Sequence, residues 1–268
     1  MTPRYTRPAV SIEALPFVNW IFWATLSAGT LLVVGVTELL GGTTRGYRLF
    51  MAWLFVVLAA IVLVSDLNLP SAARGATTEA LRRPMVIAFA AGSAAYLAAS
   101  LAKLPRSGIA IASGLIGLGA LVALAAAGGS QSVILFAGQL ILAALALGAV
   151  NAAMLLGHWY LVTPRLSPLP LRRMMWLLIG ALILQALAFA VALLVVGGEA
   201  LTGGMAALTW LRLVVGTLLP IGITVLAMLA SRAASLQAST GLLYIGLALI
   251  MAGSIAGSSI TYLTGVPV

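Results

Sequence analysis

Long apolar runs, broken by short polar punctuation, dominate the chain. Eight of them lie at about 15–40, 47–66, 84–102, 108–128, 132–161, 171–197, 204–230 and 238–263. Each is long enough to cross a hydrocarbon core roughly 30 Å thick as a helix. Turn chemistry fills the gaps: Gly41-Gly42 with Arg45, Pro70 with Arg74, Pro105 with Arg106, Gly128-Gly129, Pro164 to Pro170, Gly197-Gly198, and Ser231-Arg232. The runs are rich in Gly and Ala and show no period-2 alternation, so they predict helices rather than the strands of a membrane barrel. The expected fold is all-α, a single integral membrane domain over residues 1–268 built as a polytopic bundle of about eight transmembrane helices. The two halves show no repeat, so an inverted-repeat transporter has no direct support.

Composition agrees with this pattern. Charged residues are 7% of the chain and hydrophobic ones 63%, whereas a soluble domain carries about 25% charged residues. The net charge of +9 suggests nucleic acid at first sight. Nearly every arginine sits in a short loop between spans, however, so the charge reads as a topology signal and not as nucleic-acid binding. Cysteine is absent, which excludes disulfides, iron–sulfur clusters and thiolate metal sites. Arg4 and Arg7 precede an apolar stretch in the manner of a signal peptide. That stretch, Leu15 to Leu40, outruns a typical apolar region of about 7–15 residues, so it is expected to be the first permanent span.

Basic residues set the expected orientation. One side carries Arg45, Arg48, Lys103, Arg106, Arg165, Arg172, Arg173 and Arg232, and the other Arg4, Arg7, Arg74, Arg82 and Arg83. The positive-inside rule then places both termini outside and His158 towards the cytoplasm. Small residues recur at packing spacing: Gly114, Gly117 and Gly119 in the fourth span, and Gly253 and Gly257 in the last, with Ser254 and Ser258 one step round. Such spacing lets two helix backbones approach closely, and bundle packing is the favoured reading over a dimer face. The fourth-span glycines are no phosphate loop, because neither a preceding strand nor a following Lys-Ser/Thr accompanies them.

Polar groups within the spans are the candidates for chemistry, since each is costly in lipid. His158, the one histidine, is followed by Trp159 and Tyr160. Asn151 and Met154 precede it by seven and four residues and share its helix face. That face could present an imidazole, an amide and a thioether to a cavity, where the imidazole would hydrogen-bond a quinone or accept a quinol proton. The plainer reading is an interfacial aromatic belt. A b-type haem lacks its second histidine; Met51, Met174, Met175 and Met228 are conceivable ligands, with nothing in the spacing to select one.

Arg212 lies about eight residues into the seventh span, too deep for a simple flank. Asp66, Glu199 and Gln139 are expected on the same side of the membrane. An Arg212–Asp66 pair would be a structural solution, and a cavity for an anionic or carbonyl-bearing ligand a functional one. Pro220 should kink this helix and free a carbonyl. Glu38, at the other face, is expected to pair with Arg45 or Arg48 or to handle protons with His158. Gln185 is expected to bond across to another helix.

Eight spans, no histidine pair for a cofactor, a lone arginine in a late helix and the ending SLQASTGLLYIGLALIMAGSIAGSSITYLTGVPV together carry a resemblance. They resemble the integral-membrane anchor subunits of molybdopterin oxidoreductases, of the DMSO reductase and polysulfide reductase type, most clearly over about the last 65 residues. The resemblance implies a bacterial cytoplasmic membrane, a bound quinone, and electron transfer to a peripheral iron–sulfur subunit. Gly253-Ser254-Ile255-Ala256-Gly257 has neither the acid nor the arginine that the last span of that group carries, so no catalytic residue follows from it.

Three function classes emerge. The first is a quinone-interacting subunit without a metal of its own, using His158 with Asn151 and Glu38, or Arg212 with Asp66 and Gln139. The second is a transporter of a small or lipid-like solute, with Arg212 as counter-charge. The third is a structural membrane subunit whose polar residues knit helices together.

Overall fold

The computed structural model describes residues 15–70, 78–127, 133–163, 166–196 and 199–264, with side chains at 127, 195–196, 199–200 and 262–264 excluded. Arg4, Arg7, Arg74 and Arg165, the turns at Gly128-Gly129, Pro164 and Gly197-Gly198, and the Glu199 side chain therefore lie outside the described residues. Ten α-helices follow in order: α1 (Leu15–Leu39), α2 (Arg45–Leu67), α3 (Glu79–Leu101), α4 (Ser107–Ala127), α5 (Val133–Val162), α6 (Leu169–Val196), α7 (Glu199–Thr202), α8 (Ala206–Trp210), α9 (Leu219–Arg232) and α10 (Leu236–Thr264). A π-helical stretch, Leu211–Leu218, joins α8 to α9 into one span. Among the described residues, eight helical segments are long and apolar enough to cross a membrane, and there is no strand. The protein is an all-α, multi-pass membrane bundle.

Its outward faces are apolar, as lipid requires. Trp53, Val57 and Val64 on α2 and Leu184, Leu187 and Val191 on α6 all point out of the bundle. A water-soluble monomer rarely exposes so contiguous an apolar surface.

The first span is the axis of the bundle. In α1, 89% of the apolar window is buried, against 33–56% in the other spans. It packs on α4, α5, α2 and α10. Lipid gives helices no hydrophobic reason to associate, so close backbone contact through small residues has to supply the attraction. Gly29 meets Gly148 and Ala144 of α5 so tightly that a Cβ on Gly29 would lie 1.8 Å from the Ala144 carbonyl oxygen. On its α4 side, Ala28 and Leu32 receive Gly117 and Gly114. The hydroxyls buried along this helix donate within it: Thr25, Thr30 and Thr37 bond the carbonyls of Ile21, Leu26 and Val33 at 2.8, 2.6 and 2.8 Å.

The third span begins earlier than hydropathy placed it, at Glu79 instead of 84, and takes Arg82, Arg83 and Pro84 into the helix. Charge pairing is the reason. Asp66, at the end of α2, accepts from Arg82 Nε at 2.6 Å and from Arg83 Nε at 3.1 Å, and Arg83 also pairs with Glu79 one turn back. Arg82 and Asp66 are fully buried, with the guanidinium 5.5 Å from the Trp20 ring centre. Neutralised in this way, the arginines can enter the apolar layer.

Candidate functional site

Arg212 stands in the π-helical stretch, which owes its form to the residues after it. Pro220 has no N–H to give to the Gly216 carbonyl, and its ring would crowd that oxygen in a regular helix. The chain answers by widening: Leu219 N–H reaches the Val214 carbonyl, and Thr217 Oγ1 donates to the Arg212 carbonyl at 3.1 Å. Gly216 then meets Gly253 of α10 backbone to backbone, where a Cβ would come within 2.4 Å of Gly253 Cα. One turn further along α10, Gly257 makes room for the arginine itself, since a Cβ there would lie 2.8 Å from Arg212 Nε. Gly253 and Gly257 pack helices as their spacing suggested, and in doing so they seat a charge.

The guanidinium lines a recess between α5, the π-helical stretch and α10, with Phe136, Gln139, Leu140, Ala143, Ser254 and Ser258 around it. The recess has about 270 Å³ of empty space, part of it open to the surroundings. Arg212 is 6% exposed, and among the described side chains it has no ion-pair partner. Five N–H donors are therefore held in an apolar layer without an anion beside them.

Of the residues singled out from the sequence, the structure brings Arg212 and Gln139 together. Asp66 belongs elsewhere: Arg82 and Arg83 take its carboxylate, so the Arg212–Asp66 pair does not form. The α2 helix that carries Asp66 packs on α3 and α1, away from the π-helical stretch. Glu38 is paired, as expected, but with Arg106 (3.2 Å) and the Tyr96 hydroxyl (2.5 Å) in place of Arg45 or Arg48. The α1–α4 contact brings the start of α4 beside the end of α1, whereas Arg48 turns its guanidinium to the Thr43 carbonyl.

The face shared by Asn151, Met154 and His158 looks onto neighbouring helices. Asn151 Nδ2 donates to Thr30 Oγ1 of α1 at 3.2 Å, Met154 is buried, and the exposed His158 meets the Tyr244 hydroxyl of α10 through Nδ1 at 3.3 Å. Among the described residues no hydrogen bond or ion pair joins His158 to Glu38. Trp159, the next residue, stacks on Phe50 of α2. Gln185 does not make its expected cross-helix bond through Oε1, which is buried without a hydrogen-bond partner among the described residues.

Sequence reasoning passed over Ser254 and Ser258 as packing residues. Several other serines and threonines in the spans donate to a carbonyl one turn back, among them Ser93, Ser113, Thr224, Ser259 and Thr261, although Ser239 does not. Ser254 and Ser258 make no such bond among the described residues, and both line the recess beside Arg212. Their four-residue spacing on the face of Gly257 was the available signal. The described residues contain no group of three or more His, Cys, Asp or Glu able to hold a metal ion. Among known proteins, no family model, no curated protein and no solved structure matches the chain.

Proposed function

We propose that this membrane protein binds a lipid-soluble molecule with an oxygen-bearing head group in the Arg212 recess, and that it serves as a carrier for that molecule. The observation behind this reading is a nearly buried guanidinium with no carboxylate partner among the described residues. An intramembrane arginine costs roughly 3 kcal/mol or more, and such residues pair or mark a ligand pathway. Arg82 and Arg106 have protein carboxylates; Arg212 instead faces a recess. A ligand oxygen there would complete its hydrogen bonds, and the π-helical stretch gives the span a local irregularity of the kind found at functional sites.

Solvent extraction of the purified protein tests this. Wild-type protein should carry an amphiphile in near-stoichiometric amount, and Arg212→Gln protein should be depleted of it. Identical extracts would overturn the proposal.

A quinone-interacting subunit of an electron-transfer complex is the second reading, favoured by the aromatic and apolar wall of Phe136, Leu140 and Ala143. A quinone ring would lie against that wall with a carbonyl accepting from Arg212. Quinone in the extract, together with a co-purifying peripheral iron–sulfur protein, is its expected signature. An extract with neither removes it.

A further inference from the structure

We infer that the ligand of the Arg212 recess is a monoanionic carboxylate on a long apolar chain, a fatty-acid-like amphiphile. This rests on the reading above and names the ligand's chemical class. Three side chains that line one space make no hydrogen bond or ion pair among the described residues: Arg212, nine-tenths buried, Ser254 and Ser258. A site so rich in donors favours a group with several acceptor positions, and a carboxylate has about four.

Charge narrows the class. One guanidinium in an apolar layer is balanced by one negative charge. A neutral carbonyl or alcohol would leave the cation uncompensated, and a dianionic phosphate monoester would overshoot it. Geometry points the same way, because the flat guanidinium fork matches the two oxygens of a carboxylate with parallel hydrogen bonds. Gly257 lets that fork lie against α10 beside the two serines. Phe136, Leu140 and Ala143 then provide an apolar track for the first methylenes of the chain.

Photolabelling of the full chain in lipid nanodiscs tests the assignment. The probe is a long-chain fatty acid with a diazirine in its tail and a free carboxylate, mapped by mass spectrometry. Labelling is expected to concentrate in residues 133–143 and 250–261. Oleate should compete about tenfold or more better than oleyl alcohol, the effect of a charge-assisted hydrogen-bonded pair. Arg212→Gln should abolish that preference, Arg212→Lys should retain part of it, and the Ser254→Ala/Ser258→Ala double variant, which leaves the charge in place, should weaken oleate competition several-fold.

Equal competition by oleyl alcohol, or better competition by dodecyl phosphate than by oleate, would overturn the carboxylate assignment and leave amphiphile binding standing. Labelling scattered alike over lipid-facing positions in wild type and Arg212→Gln would overturn both proposals.

Discussion

Gly257 of α10 and Arg212 of the π-helical stretch are in contact so close that the glycine's missing side chain is the arginine's space: a Cβ would stand 2.8 Å from Nε and 3.0 Å from Cδ. Gly257→Ala should therefore push the guanidinium out of its seat. Overpacking of this kind costs about 1–3 kcal/mol. The expected outcome is a modest fall in melting temperature in detergent, with loss of the extractable ligand. A variant that melts lower yet keeps its ligand would separate Gly257 from the site.

Gly29 makes the closest approach among the described glycines, facing the Ala144 carbonyl and Gly148. Gly29→Val should destabilise far more than Gly138→Val, since Gly138 has open space around its missing Cβ. Both are helix-interior glycines of membrane spans, so the difference isolates packing. Thermal unfolding followed by size-exclusion chromatography reads it, and equal effects would remove the α1–α5 crossing as a main support.

Asp66→Asn removes the carboxylate to which Arg82, 1% exposed, donates at 2.6 Å. Removing one member of a buried pair typically costs about 3–5 kcal/mol, chiefly through the charge left behind. Poor recovery of folded protein is expected, with rescue when Arg82→Gln is added. The double variant replaces the ion pair by neutral groups able to hydrogen-bond. Failure of the rescue would mean that the shape of the arginine, stacked by Trp20, matters more than its charge.

Because the chain has no cysteine, single cysteines report topology without background. Leu104→Cys, in the turn between α3 and α4, and Asn68→Cys, at the end of α2, lie at opposite ends of α3. A membrane-impermeant maleimide on intact cells should label Asn68→Cys, and Leu104→Cys should react only after permeabilisation, if the basic loops mark the cytoplasmic side. The reverse result would invert the bundle and place the recess in the cytoplasmic half.

His158 shows what one sequence can and cannot reveal about side-chain partners. Its helix follows from the run that ends at Val162. That it meets Tyr244, 86 residues away, depends on α10 packing beside α5, which local periodicity does not encode. Asn151 likewise shares the helix face of His158 and still finds its partner on α1.

The sequence by itself determined the eight spans, the helical class and the packing glycines of α4 and α10. Hydropathy sums the transfer cost of each segment separately, and in lipid each segment must satisfy its own backbone. Tertiary structure decided who pairs with whom: Asp66 with Arg82, Glu38 with Arg106 and Tyr96, and Arg212 with a recess in place of an acid. Those outcomes turn on which helices lie side by side. Lipid supplies no hydrophobic gradient to dictate that order, so it is set by close fits such as Gly29 on Gly148 and Gly216 on Gly253.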